Sequence, residues 1–180
     1  MNPVVDIEEA RRRVAVRRGY RNWRTRFGET FDEATRAGDL TDPTLMFLAG
    51  GNDEAAFYIY DLVMNLLELG SGFEIRELQP QDRMRVMDRY LFLIDRFRFE
   101  IMRRLGWLDP LEGEEFSLVE LIQGYEKIVP ALQAVVPSLG SGHPEYAQFQ
   151  GISALEKESF IRKLIPKAMD EFSRRPGGGS

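Results

Sequence analysis

Leu118, Leu121, Ile122, Tyr125, Ile128, Val129, Leu132 and Val136 fall three or four residues apart. That spacing lines up side chains on one face of an α-helix. The same period recurs along the chain. Phe57, Ile59, Tyr60, Val63, Leu66 and Leu67 leave little polar face on a helix over Glu54–Leu69, which is expected to be central. Met84, Met87, Leu91, Ile94, Ile101 and Leu105 line a long helix that Pro80 begins, with Arg96 and Glu100 as an i,i+4 ion pair. Ile161, Leu164, Ile165, Ala168 and Phe172 repeat the pattern over Ala154–Phe172. No stretch shows the two-residue alternation of a strand. The expected fold is therefore all-α, an irregular bundle of five or six helices, two of them bent at Pro130 and Pro166. The segment 117–172 is expected to form a hairpin or layer against helix 54–69.

Local signals bound these helices. Asp6 with Glu9, Thr30 with Glu33, Ser117 with Glu120 and Ser153 with Glu156 have capping-box spacing. Asp42 is expected to cap a short helix with Pro43 in its first position, and Asn52 or Asp53 to cap the next. Gly38, Gly70, Gly106 and Gly140 follow helix-like runs, where a left-handed residue would close the helix. The first helix should run from about Ile7 toward Phe27 despite Gly19, and onward to Arg36 if Gly28 is tolerated. Leu-Gly-Ser-Gly at 69–72 recurs at 139–142 without alignment of the flanks, so it reads as two helix ends and not as a duplication. Residues 1–175 are expected to form one helical domain. The Pro-Gly-Gly-Gly-Ser of 176–180 reads as a flexible tail or expression scar.

A chain of 180 residues with 43% hydrophobic content can bury a core. It has no cysteine, which excludes disulfides and thiolate metal sites. The first residues lack the apolar core of a signal peptide, and no apolar run approaches the roughly 20 residues of a membrane span. A cytoplasmic protein with no membrane partner is the expectation.

Charge is distributed unevenly. The formal net charge is −5, yet residues 1–27 hold eight Arg against Asp6, Glu8 and Glu9, a local +5 that leaves −10 on residues 28–180. Such asymmetry bears on partners and not on fold. On a helical wheel Val16, Tyr20, Trp23 and Phe27 share a narrow stripe, and the arginines take the remaining circumference. Like-charge i,i+4 neighbours such as Arg13–Arg17 and Arg17–Arg21 each cost about 0.2–0.5 kcal/mol. The face therefore needs acids of the same chain, an acidic partner, or a polyanion. Residues 109–115, with Asp109, Glu112, Glu114 and Glu115, are one internal option. The candidate binding residues are Arg11, Arg13, Arg17, Arg18, Arg21 and Arg24. Arginine with aromatics suits phosphates and bases, but the acidic remainder disfavours nucleic acid.

Signals for catalysis are sparse. His143 is the sole histidine, in Gly-Ser-Gly-His-Pro, and reads as a surface-loop residue. One His and no Cys leave no zinc finger and no Glu-x-x-His pair of a di-iron bundle. A Ser–His arrangement with Ser138 or Ser141 lacks a nucleophile elbow. The Gly-Ser-Gly loops fit neither a P-loop nor a dinucleotide fingerprint. Asp53, Glu54, Asp61, Asp88 and Asp95 are the helix carboxylates a Mg²⁺-dependent hydrolase would use. Asp61 interrupts an apolar run, and an arginine of the 83–104 helix is its expected partner if it is buried. The favoured reading is a non-catalytic helical protein-interaction or assembly module. It uses the arginine helix toward an acidic protein or a second copy and needs no cofactor. Polyanion binding and Mg²⁺-dependent hydrolysis are the alternatives.

Overall fold

The structure, a computed structural model, describes residues 6–176; the N-terminal residues read for a leader, 1–5, and positions 177–180 of the expected tail lie outside them. Among the described residues there are nine α-helices and no strand, only an isolated antiparallel bridge between Leu108 and Leu139. The all-α expectation holds. The helix number exceeds five or six because two expected helices divide and one short helix is added.

The first division falls at Gly19–Tyr20, giving α1 (Ile7–Gly19) and α2 (Arg21–Phe27). Asp6 caps α1 by accepting from the amides of Glu8 and Glu9. Gly28 closes α2 at φ 68°, a left-handed conformation that excludes continuation toward Arg36. The Thr30–Glu33 box starts no helix either. In its place Asp32 accepts from the Ala34 amide at 2.8 Å, closing a turn. A 3-10 turn at Ala37–Asp39 leads to α3 (Asp42–Ala49), whose cap is Thr41 and not Asp42. Asn52 caps α4 (Asp53–Leu66), accepting from the Ala55 amide at 2.8 Å. Such caps are worth about 1 kcal/mol each.

After a 3-10 helix at Gly72–Glu77 comes α5 (Pro80–Arg104), at 25 residues the longest helix among the described residues. The second division falls at Gly124, between α6 (Leu118–Gln123) and α7 (Tyr125–Ala131). Pro130 therefore sits in the last turn of α7, and the end of the sequence stripe, Leu132–Val136, is not helical. The added helix is α8 (Tyr146–Gln150), and α9 (Ala154–Ser173) carries Pro166 within it. The capping boxes at Ser117–Glu120 and Ser153–Glu156 both form. Gly70 and Gly106 have positive φ at helix ends, whereas Gly38 and Gly140 do not. Leu139–Gly140 follows irregular chain, so the second Leu-Gly-Ser-Gly closes no helix.

Helix α4 is central as expected, packing against α1, α3, α5, α6 and the 3-10 helix. The large core gathers Tyr20, Trp23, Leu45, Leu48, Ile59, Leu62, Leu93 and Phe97 around it. A smaller cluster joins Phe99 and Met102 to Trp107, Leu139, Phe149, Ile161 and Leu164. Thus α5 serves two cores with two faces. Its buried side keeps Ile94 and Ile101 of the expected stripe but not the N-terminal part: Met84 and Leu91 are exposed, while Arg89, Arg96 and Glu100 are buried. The C-terminal helix is also displaced from expectation. It packs on α5, held by Arg162 to Asp95 at 2.8 Å, and of the 117–172 segment it is α6 that packs chiefly on α4.

Arg89 shows why a charge is tolerated inside. Its guanidinium donates to the carbonyls of Ile122 and Arg85 at 2.7 and 3.1 Å and to Glu126 at 2.6 Å. Its face lies over the Tyr125 ring. Every neighbour comes from α5, α6 or α7, so this one side chain clamps the α6–α7 corner to the long helix.

The aromatic stripe of α1–α2 is core. Trp23 is fully buried and packs edge-on against Tyr20, Phe27 and Phe31. The Tyr20 hydroxyl is buried without a hydrogen-bond partner among the described residues. Burial, with the Asp32 charge second, pushes its ionisation well above the ordinary tyrosine range. A hydroxyl left unpaired is a net cost. Tyr20→Phe is accordingly expected to stabilise the fold by about 1 kcal/mol, raising the melting temperature by roughly 2–4 °C. A lower melting temperature in calorimetry would show that the hydroxyl has a partner after all.

Candidate functional site

Helices α1 and α2 turn their apolar stripe inward, and this fixes where the arginines go. Arg11, Arg12, Arg13, Arg17, Arg18 and Arg21 are all exposed, and Arg24 is half-buried. Arg11 reaches Glu68 at 2.8 Å, and Arg13 pairs with Glu9 one turn back in its own helix. Arg26 lies 3.8 Å from Glu54 and over the Phe47 ring. Arg24 donates to the Arg17 carbonyl at 2.8 Å. Arg12, Arg17, Arg18, Arg21 and Arg24 have no carboxylate within ion-pair distance among the described residues. Exposed pairs such as those of Arg11 and Arg13 contribute little. The face is therefore only partly neutralised by its own chain.

The acidic loop 109–115 is not the partner of these arginines. Glu115 lies across a shallow recess from Arg12, but the loop packs chiefly beside α5, where the Glu112 carbonyl accepts from Arg96 at 2.8 Å.

Beside the arginines, α1 and the end of α4 enclose a groove of about 430 Å³. Ala10, Val14 and Ala15 form its apolar side, and Arg11, Arg18 and Glu68 its polar margin. Ile7 and Val14 remain exposed there. Sequence reasoning missed this groove. Ile7 and Val14 lie outside the aromatic stripe, and only the position of α4 shows that they flank a recess.

The carboxylates proposed for metal chemistry are dispersed. Among the described residues no group of three Asp, Glu, His or Cys side chains is arranged to hold a metal ion. Asp95 is engaged by Arg162, and Glu54 by Arg26. Asp61 is 1% exposed, yet no arginine reaches it. Its Oδ2 accepts from Asn22 Nδ2 at 2.9 Å, and its Oδ1 from Gly72 N at 2.9 Å and Asn65 Nδ2 at 3.2 Å. Three amide donors thus replace the expected ion pair and tie α2 and the 72–77 helix to α4.

His143 also departs from expectation. It is buried, not a surface residue: Nδ1 accepts from the Glu145 amide at 3.1 Å, and the ring stands edge-on to Trp107 at 5.1 Å. Both contacts shape the turn into α8.

The Arg96–Glu100 pair does not form either. Glu100 accepts from Arg103 at 2.8 and 2.6 Å and from Arg104 at 2.9 Å. An acid before a base at i,i+4 is the favoured helical orientation. Burial would raise the Glu100 carboxyl, but these two guanidinium groups outweigh it and hold the carboxyl below its ordinary value. No helix of the described residues is long and apolar enough to cross a membrane.

Searches of protein-family models, curated proteins and solved structures found no match to this chain.

Proposed function

We propose that the protein is a non-catalytic helical interaction module whose α1–α2 arginine face binds an acidic, amphipathic protein segment. The observation that carries this reading is that Arg18 lines the apolar groove at Val14 and, like Arg17 and Arg21 on the same two helices, is exposed and without an acidic partner among the described residues. A partner that offers acids to the arginines and an apolar ridge to the groove relieves like-charge repulsion and buries exposed aliphatic surface together. Arg11, Arg13 and Arg24 border the same surface. The −10 on residues 28–180 disfavours long-range attraction to nucleic acid, and gives a second copy acidic surface of its own to offer.

The test is fluorescence anisotropy with a labelled Glu-rich amphipathic helical peptide and with labelled oligonucleotides, across a salt series. The peptide is expected to bind, and Arg17→Glu with Arg21→Glu to weaken it about tenfold or more. Both positions lie outside the core stripe, so that variant should melt as the parent does. Tighter binding of the oligonucleotides, falling steeply with salt, would assign the face to polyanions instead. Loss of cooperative unfolding in the variant would make the arginines structural.

A further inference from the structure

Between the 3-10 turn at Ala37–Asp39, the middle of α5 and the loop 111–116 lies a cavity of about 380 Å³. That is within the size range of small-molecule sites. Most of the charges around it are already used. Arg36 is paired with Asp39, and Arg103 with Glu100. What remains is one cation and two anions. Arg96 is 3% exposed and has no carboxylate within ion-pair distance among the described residues. Glu114 and Glu115 are exposed and have no cationic partner there.

Arg96 is the informative residue. Its guanidinium has five N–H donors, and one bond, from Nη1 to the Glu112 carbonyl, is made. The ring of Phe92 covers it at 5.6 Å. Burial pulls its pKa down, and the Glu100, Glu114, Glu115 and Glu112 charges oppose that fall, so both free carboxylates act on it through space. An arginine stays charged in such a setting. The remaining N–H groups are not among the buried atoms left without a partner, so they keep solvent access at the cavity, where an acceptor from outside the chain can reach them.

The remaining charges discriminate between ligands. A simple anion would satisfy Arg96 but meet the repulsion of Glu114 and Glu115. A simple amine would leave Arg96 unanswered. A ligand with both groups satisfies all three, and Leu111, Phe116 and Leu121 supply apolar wall for a side chain. We infer that this cavity binds a free apolar α-amino acid, its carboxylate on Arg96 and its ammonium toward Glu114 and Glu115. The site is separate from the arginine face of α1–α2 and does not depend on that reading.

Isothermal titration of the full chain with leucine, phenylalanine and methionine tests this. At least one is expected to bind in a 1:1 ratio with Kd below about 1 mM. Glu114→Gln with Glu115→Gln changes only exposed side chains and should weaken binding at least tenfold; because both charges also act on Arg96, the unfolding of this variant is checked as well. Arg96→Gln should abolish binding; because that variant removes a buried contact, its unfolding is checked separately. N-acetyl-leucine, which lacks the ammonium, and isoamylamine, which lacks the carboxylate, are expected not to bind. Silence from all three amino acids up to about 10 mM would overturn the assignment. So would binding that the Glu114/Glu115 variant leaves intact, or N-acetyl-leucine binding as tightly as leucine.

Discussion

Trp23→Ala is expected to destabilise the protein by about 3–5 kcal/mol, lowering the melting temperature by at least about 6 °C. The indole is fully buried, with Tyr20, Phe27 and Phe31 packed edge-on around it. Truncation to a methyl leaves a cavity that this cluster of rings cannot collapse to fill, because each ring is also held by other neighbours. The Nε1–H also donates to the Tyr58 carbonyl at 2.8 Å, so the substitution removes this tie to α4 as well. The seven-residue α2 has too few internal hydrogen bonds to persist on its own. Its loss would carry Arg21 and Arg24 with it. A Tm within a degree or two of the parent's would mean that the indole is not the anchor of this corner.

Asp61→Ala is the second large effect, expected to cost about 3–5 kcal/mol in denaturant unfolding. Three amide donors converge on this carboxylate, one of them the Gly72 backbone N–H. The backbone donor cannot turn away, and a side chain at Gly72 would itself strike Asp61 at 3.0 Å, so the junction is tightly packed. Removing the acceptor leaves N–H groups buried against apolar surface. Asp61→Asn should cost clearly less, because its amide oxygen can still serve Gly72 while the Asn22 amide flips to meet the new NH₂. Equal losses in the two variants would show that charge, and not acceptor number, matters at this position.

Much of the architecture was legible because its causes are local. A helix needs a cap within three residues of its start and an apolar side chain every three or four, and Ser117–Glu120, Ser153–Glu156 and the run 57–67 display both. The aromatic stripe Val16–Tyr20–Trp23–Phe27 was likewise legible as one face of a helix, and it is the face that packs into the core. Errors arose where the same local signal is compatible with two outcomes. Thr30 and Glu33 have the spacing of a box, but Asp32 and Thr35 bond the backbone into a turn there instead. The stripe 118–136 has helical spacing, but the chain divides at Gly124, where an added Cβ would meet the Glu120 carbonyl oxygen at 2.9 Å.

The candidate site was legible only in part. The arginine face and the exposure of most of its residues follow from the wheel alone, since an uncompensated cationic ladder cannot be buried beside an aromatic stripe. Which of them find acids does not. Arg11 meets Glu68 because α4 happens to end beside α1, 57 residues away in sequence. Glu100 abandons Arg96 for Arg103 and Arg104, and that choice leaves the buried guanidinium facing a cavity.

Taken alone, the sequence determined the all-α class, most helix starts and the location of the arginine face, because periodicity and capping act over four residues or fewer. Only the tertiary structure decided that three amides and not an arginine satisfy Asp61, that α5 buries Arg89 and Arg96 while exposing Met84 and Leu91, and that α9 packs on α5. Those outcomes depend on which surfaces meet across tens of residues. A charge or apolar side chain acquires its energetic value only from the neighbour that packing brings to it.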